Sequence, residues 1–336
     1  MSVEDIAVIG AGSYGTCLAV LFGKAGHRVN LYCRGEDAAR AMDAARENTT
    51  YLPGHPLPPT VTVTADLEAA VRGKRFVFGV IPSHATRDTL TRAAAAMDPD
   101  AIVINASKGL EDGTLQTIDA VYRDVLPARI AARATYLSGP TFAGELAAGM
   151  PAAIVLAGRD PETCALGQQA LSHIHFRIYT TDDVIGVLIG GALKNVIAIA
   201  AGVSDGLGFG SNSRVALITR GLAEITRMGI ALGANPQTFA GLSGMGDLVL
   251  TCSGDASRNR RVGLALGRGK AMAEILGEMR QVAEGVKTAK VAKQLAAKLG
   301  VSAPITTAMH AIMHDGVPVR EAIGALLTRP TRSERD

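Results

Sequence analysis

The sequence predicts an α/β chain in two parts. A doubly wound, mostly parallel sheet is expected over residues 1–181, an all-α domain over residues 182–327, and a frayed charged tail over 328–336. Three observations lead there. The short apolar run Ile6-Ala7-Val8-Ile9 meets Gly10-Ala11-Gly12-Ser13-Tyr14-Gly15, and helical composition follows from Thr16 to Leu21. Similar buried-strand runs recur to about Thr181 with helical stretches between them, as in a parallel sheet covered on both faces. Beyond that point the strand signals stop and the patterns are helical.

The glycine turn has the spacing Gly-x-Gly-x-x-Gly that a dinucleotide demands. Gly10 makes the tight turn, Gly12 lets the backbone approach a pyrophosphate, and Gly15 lets helix and strand pack closely. The helix N-terminus behind it offers N–H groups and partial positive charge to phosphate. With a strand before and a helix after, the N-terminal part reads as a Rossmann domain.

The first helix is expected to end near Gly23–Gly26, and His27 to Arg34 form the second strand. About 20 residues past the glycines, NAD-selective sites carry an acidic residue on the ribose. Here that place holds Cys33 and Arg34, with Glu36 two positions on. Arg34 suits a ribose 2′-phosphate, and a solvated surface arginine is the alternative. Tyr51 to Pro59 is a proline-rich loop, Val61 to Thr64 a short strand, and Asp66 a candidate helix cap. Further strands are expected at Phe76–Ile81, Ala101–Asn105, Thr135–Leu137 and Ala152–Ala157. Ser83-His84, Ser107-Lys108 and Gly139 to Thr141 fall at carboxyl ends of such strands, where ligands bind in these sheets.

Val184 to Val203 forms one apolar helix capped by Asp182 or Asp183, with Lys194 and Asn195 as its two polar side chains. A membrane span would place that lysine at its centre, at a cost of about 2.5–3.5 kcal/mol. A buried core helix fits better, and a buried lysine needs a partner or a cleft. Snorkelling to solvent is the alternative for Lys194. Ser204 to Asn212 is a glycine-rich connection. Helical patterns follow at 213–232, 236–242, 257–268, 272–277, 287–299, 306–315 and 319–327. Asp247 lies ahead of Ser257-Arg258-Asn259, a donor-rich helix start that reads as a phosphate cradle. The alternative is that Ser257 caps the helix and the arginines are solvated. His310 and His314 lack the glutamate of His-Glu-x-x-His, so no metal is expected; His173 and His175 alternate in a strand-like stretch.

Composition sets outer limits. Hydrophobic residues make up 48% and charged residues 19% of the 336, and the net charge of +3 gives no case for nucleic acid. Glu4 and Asp5 stand where a signal peptide would be basic, and Cys17, Cys33, Cys164 and Cys252 are scattered, so free thiols in the cytoplasm are expected. A small-molecule substrate and a homodimer are the expected partners.

Across residues 6–316 the chain resembles a known family, the bacterial NAD(P)-dependent glycerol-3-phosphate dehydrogenases. The resemblance lies in Gly10 to Thr16, Pro82-Ser83-His84, Ser107-Lys108-Gly109, Ser138 to Ala143 and Leu193 to Val196. It continues in Ser204 to Gly208, Gly246-Asp247-Leu248, Ser257-Arg258-Asn259 and Val282 to Gly285. It implies interconversion of dihydroxyacetone phosphate and sn-glycerol 3-phosphate, mainly toward the phospholipid precursor, with NADP(H) preferred on the strength of Arg34 and NAD(H) also usable. By the same resemblance Lys194 donates and accepts the proton, and Lys108 meets both cofactor and substrate. Gly139, Thr141, Asp247, Ser257, Arg258 and Asn259 would hold substrate. Ser13, Tyr14, Arg34, Ala143, Arg258, Val282 and Glu284 would touch the dinucleotide. Ser211 stands where the family is expected to be acidic, at a position without a role. Two rivals remain: a related two-domain reductase of a hydroxy acid or a ketopantoate-like substrate, and a dinucleotide sensor without catalysis.

Overall fold

The computed structural model describes residues 2–279, 283–331 and 333–334. Within them the strands β1 (Asp5–Ile9), β2 (Arg28–Tyr32), β3 (Val61–Thr64), β4 (Phe76–Gly79), β5 (Ile102–Asn105), β6 (Thr135–Ser138), β7 (Ala152–Gly158) and β8 (Phe176–Thr181) share one sheet. Their order is β3-β2-β1-β4-β5-β6-β7-β8, parallel throughout except where β7 runs against β6. Ile6 and Val8 pack into one apolar layer and Ala7 and Ile9 into the other, so both sheet faces are covered and the strands read as continuous apolar runs. Strand order reverses between β1 and β4. Ile9 is in register with both Tyr32 and Gly79, and Gly79 with Asn105. The chain therefore leaves β1, β2, β4 and β5 at one level, and the crevice above that level is where an open sheet of this kind binds ligands.

Eight helices accompany the sheet: α1 (Ser13–Lys24), α2 (Glu36–Ala45), α3 (Leu67–Val71), α4 (Ser83–Ala94), α5 (Ile118–Val125), α6 (Ala128–Ala132), α7 (Ala143–Ala147) and α8 (Pro161–Leu171). The rest of the described chain is helical: α9 (Val184–Gly206), α10 (Gly210–Ala231), α11 (Asp247–Ser253), α12 (Arg258–Gly267), α13 (Met272–Glu278), α14 (Glu284–Leu299), α15 (Pro304–His314) and α16 (Val319–Leu327). A 3₁₀ turn at Pro236–Ala240 and a π turn at Leu242–Gly246 lead into α11. Asp183 caps α9, its Oδ1 accepting from the Gly186 N–H at 2.9 Å. This helix is long and apolar enough for a membrane span, but 94% of its most apolar window is buried inside the protein. It is the core helix of the all-α part, with Ile189, Val196, Ile199 and Val203 fully enclosed.

Three local expectations shift. The strand-like stretch at His173 and His175 is a turn closed by a bridge from His173 to Phe176, because β8 takes its register from Ala152 and starts at Phe176. The connection expected over Ser204 to Asn212 shrinks, since α9 runs on to Gly206 and α10 begins at Gly210. Gly202 and Gly206 cause this: they face α12, where a Cβ on Gly202 would overlap the Arg260 carbonyl and one on Gly206 would sit 2.6 Å from that of Leu264. The stretch after Gly246, read as preceding a turn, is the helix α11. All four cysteines are buried and free.

One buried carboxylate ties two helices together. Glu224 on α10 accepts from the Ile305 N–H at 2.6 Å and from the Thr306 N–H and hydroxyl at 3.1 Å each, so it caps α15 from a distance. Glu224→Ala leaves three buried donors without a partner and is expected to lower stability in urea unfolding by about 2–4 kcal/mol. A loss below about 0.5 kcal/mol, the range of ordinary surface changes, would show that the cap is not what holds α15.

Candidate active site

The glycine turn is built as its spacing requires. Gly10 has φ +118°, and a Cβ there would run into the Val80 carbonyl, so only glycine fits. A Cβ on Gly15 would meet the Gly10 carbonyl, which explains the close fit of α1 on the turn. Gly12, by contrast, would meet nothing within 4 Å, so its backbone borders open space. It precedes α1 with no side-chain cap and no acidic residue in the first turn, and that N-terminus suits a pyrophosphate. Ser13 Oγ donates to the Tyr51 carbonyl at 2.6 Å, and the Thr141 hydroxyl donates to that of Tyr14 at 3.2 Å. Burial raises the Tyr14 hydroxyl above its ordinary range and keeps it protonated.

Arg34 is exposed just past β2. Glu36, the carboxylate nearest in sequence, is held on its own helix by Arg40 at 3.2 Å. Across the turn, His84 is pushed down by burial and by the charges of Lys287 and Arg34, so basic groups from the turn after β2, from α4 and from α14 lie near one another. Ala143 begins α7 and Glu284 begins α14. The Ser83 hydroxyl donates to Glu284 at 3.1 Å, fastening α14 to the start of α4. Burial raises the Glu284 carboxyl. Val282 lies outside the described residues.

Deeper in, one carboxylate gathers two lysines. Asp247, 1% exposed at the start of α11, accepts from Lys108 Nζ at 2.6 Å through Oδ2 and from Lys194 Nζ through Oδ1. Lys194 also donates to the Thr251 hydroxyl at 2.9 Å, and Lys108 to the Gly139 carbonyl at 3.3 Å. Gly139 has φ +149° and packs on Ile154, which turns its carbonyl toward Lys108. Burial pushes the Lys194 ammonium down from its ordinary value; Asp247 opposes that and Lys108 adds to it. For Asp247, burial pushes upward, but the two ammonium groups win and hold the carboxyl below its usual range. Lys194 thus has a buried partner, which answers why a lysine sits inside an apolar helix.

The donors expected as a phosphate cradle divide their work. Ser257 caps α12, its hydroxyl accepting from the Arg260 N–H at 3.2 Å. Asn259 donates to the Asn195 side-chain carbonyl and accepts from the Gly285 N–H, both at 2.9 Å, so it joins α9, α12 and α14. Arg258 is half-buried at the first position of α12. Burial lowers its guanidinium, and Glu284 is the charge that offsets this. Direct contacts therefore unite Lys108, Lys194, Asp247 and Gly139; Thr141 joins Tyr14 next to them. Arg34 stands apart, just past the carboxyl end of β2. Sequence reasoning missed Thr251, which the spacing Asp247 to Thr251 would reveal once α11 is known to be a helix, and it left Asn195 and Ser83 without roles. Outside this site, His310 faces Asp315 at 3.1 Å and His314 faces the Val286 carbonyl at 2.8 Å, and the described residues contain no cluster of metal-binding side chains.

Comparisons with known proteins agree over the whole length. Residues 5–164 match the family model described as NAD-dependent glycerol-3-phosphate dehydrogenase N-terminus, and residues 183–324 match its C-terminal counterpart. The chain is 51% identical over 332 residues to the glycerol-3-phosphate dehydrogenase [NAD(P)+] of Geobacter sulfurreducens, covering 99% of each, and 52% identical to that of Geobacter metallireducens over the same share. Among solved structures, glycerol-3-phosphate dehydrogenase from Coxiella burnetii superposes with a TM-score of 0.93 at 37% identity, covering 97% of this chain and 99% of that one. Both halves match in order, and relatives share half of all residues from end to end; the chain belongs to the NAD(P)-dependent glycerol-3-phosphate dehydrogenase family.

Proposed function

We propose that the chain reduces dihydroxyacetone phosphate to sn-glycerol 3-phosphate, reversibly, with Lys194 moving the proton. The observation that carries this is an ammonium buried in an apolar helix and held on Asp247 beside a second, more open ammonium, Lys108. A bound nicotinamide dinucleotide supplies or takes the hydride. As the ketone is reduced, negative charge grows on its oxygen. Lys194 stabilises that charge and hands over a proton. Asp247 opposes the loss of charge that burial favours, while burial and Lys108 bring the lysine down to about 7, where its proton is easily released. In the oxidation the neutral Lys194 amine takes the proton back. Lys108, Gly139 and Thr141 line the polyol end of the substrate, and Arg258 at the N-terminus of α12 takes its phosphate, with Ser257 and Asn259 holding that turn in shape. A guanidinium beside a helix N-terminus suits a phosphate dianion better than the carboxylate of a ketopantoate-like substrate.

The dinucleotide is held by Gly10, Gly12, Ser13, Tyr14 and Gly15, with Arg34, Lys108, Ala143, Arg258 and Glu284 around it. NADPH is preferred over NADH through Arg34. The division of labour follows a domain division of residues 1–181 for the dinucleotide and 182–327 for the substrate, which the end of β8 at Thr181 and the Asp183 cap of α9 support. A homodimer would cover exposed apolar side chains such as Phe209 and Val215 around α10. The four free thiols suit the cytoplasm, and the product has the glycerol backbone that phospholipid synthesis requires.

Lys194→Ala is expected to fold, to bind NADPH, and to lose about 10²–10⁴ in turnover. Turnover above roughly a tenth of wild type would remove Lys194 from the chemistry. The pH dependence has a definite sign. Reduction needs Lys194 charged, so its kcat/KM falls as pH rises through the lysine's pKa, and Asp247 raises that pKa. Asp247→Asn is expected to move the basic limb of the reduction profile, and the acidic limb of the oxidation profile, to lower pH; limbs that stay put or move up contradict the scheme. For Arg34, a charged hydrogen bond to the 2′-phosphate is worth about 1.5–3 kcal/mol, or roughly one to two decades. Arg34→Ala is expected to cost NADPH that much in kcat/KM and NADH almost nothing; equal losses show that Arg34 does not read the 2′-phosphate.

A further inference from the structure

The stretch Ser204-Asp205-Gly206 closes α9 and has no part in the chemistry above, yet it holds a buried ion pair. Asp205 Oδ2 accepts from Arg260 Nε at 3.0 Å and Nη2 at 2.7 Å, and from Arg214 Nη1 at 3.2 Å. Arg260 Nη1 also donates to Asp255 Oδ1 at 2.7 Å. The side chains of Asp205 and Arg260 are only 11% and 12% exposed. One guanidinium therefore grips both the end of α9 and the loop that enters α12. It stands two residues past Arg258, in the same first turn.

The backbone contacts beneath this pair show what it controls. Ile199 lies against Gly263, Gly202 against Arg260 and Leu264, and Val203 and Gly206 against Gly267. Residue numbers rise together along this seam, so α9 and α12 lie side by side in the same direction with their backbones in contact. Such a seam fixes how far apart the helices are. A slide of one helical turn along it would displace Arg258 from Lys194 by about 5.4 Å. The side-chain links across the pair are Asn195 to Asn259 at one end and Asp205 to Arg260 beyond it, and only the second carries charge on both partners.

We propose that the Arg260–Asp205 ion pair is a positioning device of the substrate site, locking the first turn of α12 so that Arg258 meets the substrate phosphate while Lys194 meets the carbonyl oxygen. It rests on the reading of Arg258 as the phosphate contact. Neither Arg260 nor Asp205 touches substrate; they act through Arg258. Because a misplacement of about 1 Å can cost 100-fold in rate, a loosened helix start is felt in the phosphorylated substrate first.

The test compares kcat/KM for dihydroxyacetone phosphate and for unphosphorylated dihydroxyacetone in Arg260→Met, Asp205→Asn and Arg258→Ala. Arg260→Met keeps the apolar stem and Asp205→Asn keeps the size and one acceptor. Both are expected to lose about 10- to 100-fold with the phosphorylated substrate. With dihydroxyacetone, assayed at saturating dinucleotide so that any weakened cofactor contact of Arg258 is offset, both should stay within about threefold of wild type, since that substrate has no phosphate for the α12 start to hold. A merely structural role would lower both substrates alike, and that result, or full activity with both, overturns the proposal. If Arg260→Met does not fold, Asp205→Asn decides on the same readout. A selective loss in Arg258→Ala without one in Asp205→Asn overturns the positioning role and leaves the phosphate contact standing. No selective loss in Arg258→Ala overturns both.

Discussion

The site turns on one carboxylate. Asp247 is almost fully enclosed, and its two oxygens each hold one ammonium, Lys194 from the core helix and Lys108 from the sheet. Removing the carboxylate would leave two buried ammonium groups facing each other without compensation, an arrangement that costs several kcal/mol, whereas loss of either lysine leaves the other paired with Asp247. Together they leave a net positive charge in a low-dielectric crevice, which is what an oxygen gaining negative charge requires. Lys194, the proposed proton-moving group, is thus pushed away from its charged form by burial and by Lys108 and drawn back toward it by Asp247.

This triad also joins the two parts of the molecule. Lys108 follows β5, Gly139 follows β6, Lys194 sits midway along α9, and Asp247 starts α11. A second link lies nearby, where Ser83 after β4 donates to Glu284 at the head of α14. Both links stand above the carboxyl ends of the strands, so the crevice that the sheet topology provides is roofed by the helices that carry Lys194, Asp247 and Glu284. Burial of Lys194 and closure of the crevice are therefore one structural event.

What the sequence disclosed follows from how local each signal is. The glycine turn was legible because three glycines at fixed spacing obey short-range steric rules, and Gly10 and Gly15 meet the neighbours those rules anticipate. Lys194 was legible because a lone charge in an apolar run has few physical explanations. The roles of Ser257 and Asn259 were not, because a cap and an amide link use the same residue types as a phosphate cradle, and only the positions of Asn195 and Gly285 tell them apart. Strand β8 was blurred by the histidines before it, since its start is set by pairing with β7 some twenty residues back. Helix α11 escaped notice for the same reason: Gly244 and Gly246 disguise it, and the π turn that leads into it exists because Gly244 packs on Phe239. Long-range partners decide these places, and no window of sequence contains them.

Helix α9 has one more consequence, for how the protein acquires its structure. Five of its residues are glycine: Gly186, Gly190, Gly191, Gly202 and Gly206. Each costs an isolated helix up to about 1 kcal/mol relative to alanine. Replacing glycine by alanine in a helix is a usual way to raise thermal stability. Here that route is closed, because a methyl group at Gly190 would sit 2.6 Å from the Ser243 carbonyl and one at Gly191 2.9 Å from the Ser138 hydroxyl. The segment is a poor helix by itself and becomes one only when its neighbours arrive to fill the grooves those glycines leave. Helicity, core formation and the burial of the reactive lysine must then appear in the same cooperative step of folding. A nascent chain that has made α9 but not yet α12 lacks the helix that packs against Gly202 and Gly206, so a stable core waits for the last quarter of the polypeptide.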